Sequence, residues 1–271
     1  MQEDLAILLE WFEANGITEI FDEDVGSKNM AVDITETKEV NHIPKNIPSV
    51  VDALVKQQNS ITNKTTGLFD NEQIREFANK VDNIEDIVNF ANKFVGYENF
   101  RKTANNTIVL DGNINSQLLV INDMPNTEDD NYNKIFGGAS ERLLSNILNS
   151  LFKKKEDICF LNLFFWRLPG GRPPIKEEIN YCRPLIEKII SIIRPKFIVF
   201  CGNYGVSTFL EDNKTIFNVR GKVLEYTNCY LENKIKSTAT YSPYLLLKNG
   251  TKKNDFWEDI LFIHNYINNN L

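Results

Sequence analysis

The stretch EEINYCRPLIEKIISIIRPKFIVFCG, residues 177–202, places a helical pattern directly before a short apolar run. Apolar residues in 177–193 recur at intervals of three and four, which predicts an amphipathic helix. In the following run KFIVFCG, 196–202, the residues after Lys196 are continuously apolar and rich in Phe, Val and Ile. A strand buried on both faces has this composition. The stretch therefore predicts a helix that leads into a central strand of a parallel sheet.

The same rhythm recurs on both sides of this stretch. QLLVIND (117–123) and DICFLNLFF (157–165) are further short apolar runs, and IKSTATYS (235–242) is a weaker one. The segment FGGASERLLSNILNSLF, 136–152, has helical spacing between the first two. Alternating strands and helices indicate βαβ units. The predicted fold class is α/β: a three-layer α/β/α sandwich around a mostly parallel four-stranded sheet, over about residues 100–271.

The first third of the chain is different in character. Residues 4–15 have helical spacing, and a polar, Ser/Thr/Asn-rich region follows from 21 to about 71, which is typical of a linker. We therefore expect two parts, a helical N-terminal extension with a polar linker at 1–95 and the α/β/α domain at 96–271. Two further helices are predicted within the extension, at 71–80 and 84–94.

Composition excludes several classes of protein. Four cysteines without a C-x-x-C pair argue against a zinc knuckle or a disulfide framework. A net charge of -7 gives no overall attraction to nucleic acid, so any phosphate contact needs a local patch. No apolar run is long enough to span a membrane, and the acidic start is unlike a signal peptide, so we expect a cytoplasmic protein. No phosphate-binding glycine motif supports a nucleotide-binding enzyme.

Candidate ligand-binding residues follow the predicted strands. In open α/β sheets ligands bind beyond the carboxyl ends of the strands, where the strand order reverses. The segments to inspect are 122–125, 162–172, 202–203 and 241–244. Ordinary tight turns remain the alternative interpretation.

Taken in order, these segments resemble a known family. TANNTIVLDGNINSQLLVINDMPNTEDD (103–130), NLFFWRLPGGRPPIKEEINYCRP (162–184), FNVRGKV (217–223) and ATYSPYLLLKNG (239–250) are similar to the family 4 uracil-DNA glycosylases, the bacterial and archaeal iron-sulfur class. That family has N-V-V-K-C-R-P-P and E-E-I-x-x-C-x-P motifs at the second segment and H-P-S-x-L-L at the last. The resemblance covers about residues 98–267 in one consistent order.

The resemblance implies roles for individual residues. Such enzymes extrude a nucleotide and hold its base in a pocket. Phe136 lies at the family's stacking position, and Gly137 and Gly138 after it would let the backbone approach a flat ring. Asn162 corresponds to the family's asparagine that faces the uracil edge. Asp123 stands at the place of the acidic residue that orients water, and Asn122, Met124 and Pro125 around it would contact the substrate. The alternative interpretations are that Phe136 is a core residue and that Asn162 only forms a turn.

The same resemblance implies contacts with DNA. Two arginines flank a stiff proline and glycine turn and would hold phosphates beside the flipped nucleotide. An apolar segment after the last strand would fill the gap left by the base. The alternative interpretations are that the first segment is only a proline-rich connector and the second only an apolar turn. The residues expected on DNA are Arg167, Gly170, Arg172, Pro243, Tyr244 and Leu245.

The sequence departs from the family pattern in three places. The family holds a four-iron cluster on four cysteines, but here Trp166 replaces one, Glu98 stands near another, and only Cys182 is in register; we expect neither cluster nor metal. Asp123 is shorter than the family's Glu, and Asn122 replaces the preceding Gly. Ser242 replaces the histidine that stabilises the departing uracil anion, which leaves Asp123, Asn162 and Ser242 as the candidate catalytic residues.

Two functions remain open. The first is a DNA repair glycosylase that hydrolyses the N-glycosidic bond of uracil or a related deaminated base by base flipping. Its partner would be DNA, single-stranded or with a flipped base, and we expect a monomer associated with the nucleoid and without a cofactor. The alternative is a catalytically inactive relative that binds DNA or a protein partner.

Overall fold

The computed structural model describes residues 71–151, 157–210 and 214–270. The predicted helix at 4–15 and the predicted linker before Asn71 lie outside the described residues.

The described core is a six-stranded sheet with the order β1-β3-β2-β4-β6-β5. The four inner strands β3, β2, β4 and β6 are mutually parallel, and the short edge strands β1 and β5 run antiparallel. The predicted mostly parallel sheet is confirmed, with two edge strands more than the four expected. The strands are β1 Leu110–Gly112, β2 Leu118–Asn122, β3 Cys159–Asn162, β4 Phe197–Cys201, β5 Leu224–Tyr226 and β6 Ile235–Thr240.

Helices connect the strands in the predicted alternation. The two helical segments at 71–80 and 84–94 are confirmed as α1 and α2, and the segments at 136–152 and 177–193 as α5 and α6. The helices are α1 Asn71–Lys80, α2 Ile84–Lys93, α3 Glu98–Arg101, α4 Thr127–Tyr132, α5 Gly138–Ser150, α6 Lys176–Ile193, α7 Asn203–Phe209, α8 Ile216–Val219, α9 Pro243–Lys248 and α10 Lys253–Asn270.

The chain direction reverses across the sheet at β2. The connection from β2 through α5 leads to β3 on one side, and the connection from β3 through α6 leads back to β4 on the other. Because such crossovers are right-handed, α5 and α6 cover opposite faces, which gives three layers. The topological switch point, where ligands bind in such sheets, then lies between the carboxyl ends of β2 and β4.

A core of apolar side chains fills the space between the sheet and the helices α5 and α10. Val120, Phe160 and Val199 contribute from the strands, and Leu144 and Ile263 from the helices. These three strand residues share one face of the sheet because side chains alternate along a strand.

The compact unit of the described fold begins before the predicted domain boundary. It comprises residues 67–271 and therefore includes α1 and α2, which the sequence-based division assigned to the extension. The side chain of Asn79 on α1 accepts a hydrogen bond from the hydroxyl of Tyr230, and Asp82 lies 3.3 Å from the ammonium of Lys188 on α6. Within the described ranges, no helix is long and apolar enough to cross a membrane.

Candidate active site

The carboxylate of Asp123 lies at the topological switch point. Asp123 directly follows β2, and its Oδ1 accepts the backbone N–H of Gly205 at 2.9 Å. Gly202, at the end of β4, has φ +125, and a Cβ there would clash with the Asp123 carboxyl group. Only glycine tolerates both this backbone conformation and this approach. The carboxylate is thus packed against the backbone that follows β4, at Gly202 and Gly205.

The surroundings of Asp123 change its protonation. Burial raises the pKa of its carboxyl group to about 7, although backbone N–H groups of Gly205, Tyr204 and Asn203 oppose this change by stabilising the charged form. The carboxyl group therefore changes its charge near neutral pH. A group that titrates near the working pH is suited to accept a proton during a reaction.

Two asparagines end the neighbouring strands β2 and β3 and are bonded to each other. Asn122 and Asn162 are paired in register, and Nδ2 of Asn122 donates to Oδ1 of Asn162 at 2.9 Å. Nδ2 of Asn162 donates to the carbonyl oxygen of Ile108 at 2.8 Å, and Asn162 is fully buried. Asn122 also donates to the carbonyl oxygen of Met124. The structure thus brings Asn122, Asp123, Met124 and Asn162 together at one edge.

Phe136 has an unusual backbone that turns its ring into the core. Its φ is +56, a left-handed conformation that costs a non-glycine residue free energy. The next N–H, of Gly137, is held by Asp129 Oδ1. The Phe136 ring meets Phe160 edge to face, with ring centroids 5.7 Å apart. Phe160 precedes Asn162 by two residues, so the ring lies on the same face of the sheet as the two asparagines.

The glycines after Phe136 accommodate a carboxylate. A Cβ on Gly138, which has φ +61, would meet the carboxyl group of Glu128. That group accepts the N–H of Ala139 at the start of α5 at 2.9 Å. Gly138 therefore fits the packing of Glu128, and its predicted contact with a base stays a prediction.

A cavity of about 540 Å³ lies between the sheet and helices α5 and α10. Phe136, Phe160, Cys201, Thr240 and Pro243 line its end nearest the strand termini. Its walls are mainly apolar, and its lining includes Phe136 but neither Asp123 nor Asn162. The cavity therefore borders the ring of Phe136 but not the side chains of Asp123 and Asn162, and the predicted stacking of Phe136 on a base stays a prediction.

The turn after β3 is open, but its arginines are paired. Gly170 has φ +66, and nothing lies within 4 Å of a Cβ built there. Arg167 Nε donates to the buried Asp130 at 2.9 Å. Arg172 makes a two-pronged contact with Glu178, at 2.9 and 2.7 Å. Contact of these guanidinium groups with phosphate, as predicted, requires exchange or sharing of these partners.

The segment after β6 presents apolar side chains outward. Ser242 caps α9, because its Oγ accepts the N–H of Leu245 at 3.3 Å. Pro243 is buried, whereas Tyr244 and Leu245 are 39% and 38% exposed. The predicted insertion of these two side chains into DNA stays a prediction.

A partly buried ion pair near this segment was not predicted from the sequence. Asp259 of α10 accepts hydrogen bonds from Arg220 at 3.1 Å and from the hydroxyl of Thr240 at 2.9 Å. Burial raises the pKa of Asp259 despite these two partners. Its sequence signal is a carboxylate on the apolar face of α10, between Phe256 and Ile263. The pair anchors the end of β6, directly before Ser242.

Comparison with known proteins agrees with this geometry. The profile of the uracil DNA glycosylase superfamily matches residues 110–261, which contain every strand of the sheet. The chain belongs to the uracil DNA glycosylase superfamily. The resemblance stated from the sequence is confirmed.

Several uracil-DNA glycosylases are similar to the chain over more than half of its length. The type-4 uracil-DNA glycosylase of Archaeoglobus fulgidus is 28% identical over 162 residues, which cover 58% of this chain and 80% of that protein. The type-4 enzyme of Saccharolobus solfataricus is 32% identical over 165 residues, 59% of this chain and 74% of that protein. The type-4 enzyme of Thermotoga maritima is 30% identical over 149 residues, which cover 55% of this chain and 75% of that protein.

The residues at the cluster position of family 4 do not fit a four-iron group. Trp166 is fully buried, and its ring centroid lies 4.9 Å from that of Tyr97 and 5.6 Å from that of Phe100. Its Nε1 donates to Thr107 Oγ1 at 2.9 Å. Burial raises the pKa of the nearby Cys182 thiol, which disfavours the thiolate that iron requires. Among the described residues, no group of three or more His, Cys, Asp or Glu can hold a metal ion.

Proposed function

We propose that this superfamily member hydrolyses the N-glycosidic bond of uracil, or of a related deaminated base, in DNA after flipping the nucleotide out of the strand. The observation that carries the proposal is the position of the Asp123 carboxylate at the switch point, on the residue that directly follows Asn122 of the Asn122–Asn162 pair. The relatives named above are uracil-DNA glycosylases, which supports the same reaction. The proposed enzyme acts as a monomer at the nucleoid in the cytoplasm.

The proposed chemistry uses the charge of Asp123. Ionised Asp123 orients a water molecule toward the anomeric carbon and stabilises the positive charge that develops on the sugar. The bond from sugar to base breaks, and its electron pair leaves with the base. The water oxygen then bonds to the anomeric carbon, and its proton passes to the carboxylate. Phe136 is proposed to stack against the base from the cavity side.

The proposed DNA contacts lie on the same edge of the sheet. Tyr244 and Leu245 are exposed and would fill the gap that the flipped nucleotide leaves. The open turn at Gly170 leaves room for a phosphate to approach the backbone. Arg172, whose side chain is 47% exposed, would add charge nearby.

We propose that the reaction needs no bound cofactor. Trp166, packed against the rings of Tyr97 and Phe100, stands at the position at which family 4 has a cysteine ligand, and the steps above use side chains of this chain alone.

Base release tests the proposed function. We expect the protein to release a base from single-stranded oligonucleotides that contain uracil, hypoxanthine or xanthine, measured as strand cleavage after alkaline treatment. The matched control is Asp123→Ala on the same panel. If the enzyme in excess over DNA releases none of the three bases, the proposed reaction is wrong.

Restoring the family's histidine is expected to increase activity. Ser242 supplies only a neutral hydroxyl, which already caps α9. An imidazole there can stabilise the departing base anion, and a donor of this kind is worth about 10²- to 10³-fold. Because loss of the cap also costs stability, we expect Ser242→His to increase single-turnover base release by about tenfold or more. Ser242→Ala is the control, and an equal rate for both variants would contradict this prediction.

A catalytically inactive DNA-binding protein is the second candidate function. The use of the Ser242 hydroxyl as a helix cap favours it, as does the pairing of both arginines with carboxylates. This candidate predicts binding to uracil-containing or abasic DNA without base release. The logarithm of the binding constant should fall linearly with the logarithm of the salt concentration.

A further inference from the structure

The hydrogen bonds of Asn122 and Asn162 fix the orientation of both amides. Nδ2 of Asn162 faces the carbonyl oxygen of Ile108, and Nδ2 of Asn122 faces that of Met124. A backbone carbonyl only accepts hydrogen bonds, so each amide must present its nitrogen there. Rotating either amide by half a turn would place two acceptors against each other. The oxygen of Asn162 therefore faces the nitrogen of Asn122.

This arrangement leaves the oxygen of Asn122 without a donor from the described part of the protein. Both hydrogens of the Asn122 nitrogen are used, by Met124 and by Asn162. The oxygen of Asn162 is occupied by Asn122, and Asn162 is fully buried. Oδ1 of Asn122 has no donor among the described residues, and although Asn122 as a whole is only 5% exposed, this oxygen is open to solvent. An accessible acceptor that the protein itself leaves unpaired can take a hydrogen bond from a ligand that brings a donor.

We infer that Asn122, at the position where family 4 has glycine, reads the base edge through Oδ1, and that Asn162 is a positioning residue that holds Asn122. This inference rests on the proposed function and names its substrate class: bases with a ring N–H next to a carbonyl. Uracil and hypoxanthine present such an N–H. Cytosine has a lone pair at the corresponding ring nitrogen, which the oxygen of Asn122 would repel.

Binding of non-cleavable nucleotides tests the inference separately from catalysis. Two single-stranded oligonucleotides carry either deoxypseudouridine or a 2,4-difluorophenyl C-nucleoside, which has a similar shape but a C–H in place of the ring N–H. Both have a carbon–carbon glycosidic bond and cannot be hydrolysed. Affinities of the full chain are compared with those of Asn122→Leu and Asn122→Gly. Both variants lack the amide oxygen but differ in side-chain volume. A change that both variants share is therefore due to loss of the acceptor, and a change in only one is due to packing.

We expect the wild-type protein to bind the pseudouridine strand about tenfold more tightly, because the other strand displaces water from the oxygen of Asn122 without offering it a donor. Both Asn122 variants should lose most of this preference, and Asn162→Ala should lose part of it while still binding DNA. Equal wild-type binding to both strands, or a full preference in the Asn122 variants, would overturn the inference. Intact preference without base release from any substrate would overturn only the proposed reaction, and no binding to either strand would overturn both.

Discussion

Asp123→Asn is expected to lower the rate of base release by about 10²- to 10⁴-fold, the range that a positioned acid–base group contributes. The amide can still accept the N–H of Gly205, so the backbone after β4 should keep its position. It cannot accept a proton from water or stabilise positive charge. The measurement is single-turnover base release with enzyme in excess. A loss of less than about tenfold would assign the water-orienting role to another group.

The same carboxyl group sets the expected pH profile. Its pKa of about 7 means that the ionised, active form increases as pH rises through 7. The wild-type rate should therefore rise up to tenfold per pH unit below 7 and level off above about pH 8. The residual rate of Asp123→Asn should lack this step. A flat wild-type profile between about pH 5.5 and 8.5 would contradict the assignment.

Stability should change in the opposite direction to activity. The pKa of Asp123 is raised from 3.8 in the unfolded chain to about 7, so between these values the folded state binds more protons than the unfolded state. The contribution of Asp123 to stability is then lost as pH rises from about 4 to 7. Asp123→Asn avoids this loss and should be more stable than the wild type by about 1–3 kcal/mol at pH 8, with no difference near pH 4.

Apolar runs predicted the inner strands because those strands are buried on both faces. KFIVFCG became β4, all of whose residues are buried. The edge strands β1 and β5 have three residues each and include Asp111, Gly112 and Glu225, so neither apolar continuity nor alternation distinguishes them from loops. Their pairing is decided by the neighbouring strand, which a local pattern does not contain.

The neighbourhood of Asn122 and Asn162 was predictable, because parallel strands end at one edge of the sheet. The partners of the charged residues could not be predicted from the sequence. Arg167 pairs with Asp130, 37 positions earlier, and Arg220 with Asp259, 39 positions later. These distances in sequence are bridged only when the loops fold over the sheet. The direction in which the Asp123 carboxylate turns depends likewise on the backbone at Gly202, on another strand.

The aromatic cluster of Tyr97, Phe100, Phe164 and Trp166 gives the largest expected effect on stability. Trp166 is fully buried, and its ring contacts each of the other three at centroid distances of 4.9–5.6 Å. Removing such a side chain leaves a cavity that the surrounding rings cannot fill. Trp166→Ala should therefore lower the free energy of unfolding by about 3–5 kcal/mol, measured by denaturant titration.

Two matched variants separate packing from cofactor binding. Trp166→Phe keeps ring contacts and loses the hydrogen bond to Thr107, so its cost should be about 1 kcal/mol. Trp166→Cys restores the family's cysteine but leaves Tyr97 and Phe100 in place, and it should be destabilised like the Ala variant and bind no iron after anaerobic reconstitution with iron and sulfide. Stoichiometric iron in Trp166→Cys, or a cost below about 1 kcal/mol for Trp166→Ala, would show that these rings do not replace the cluster. If both expectations hold, one side of the fold that family 4 secures with iron–thiolate bonds is secured here by the packing of aromatic rings, which needs no metal supply and no reduced cysteines.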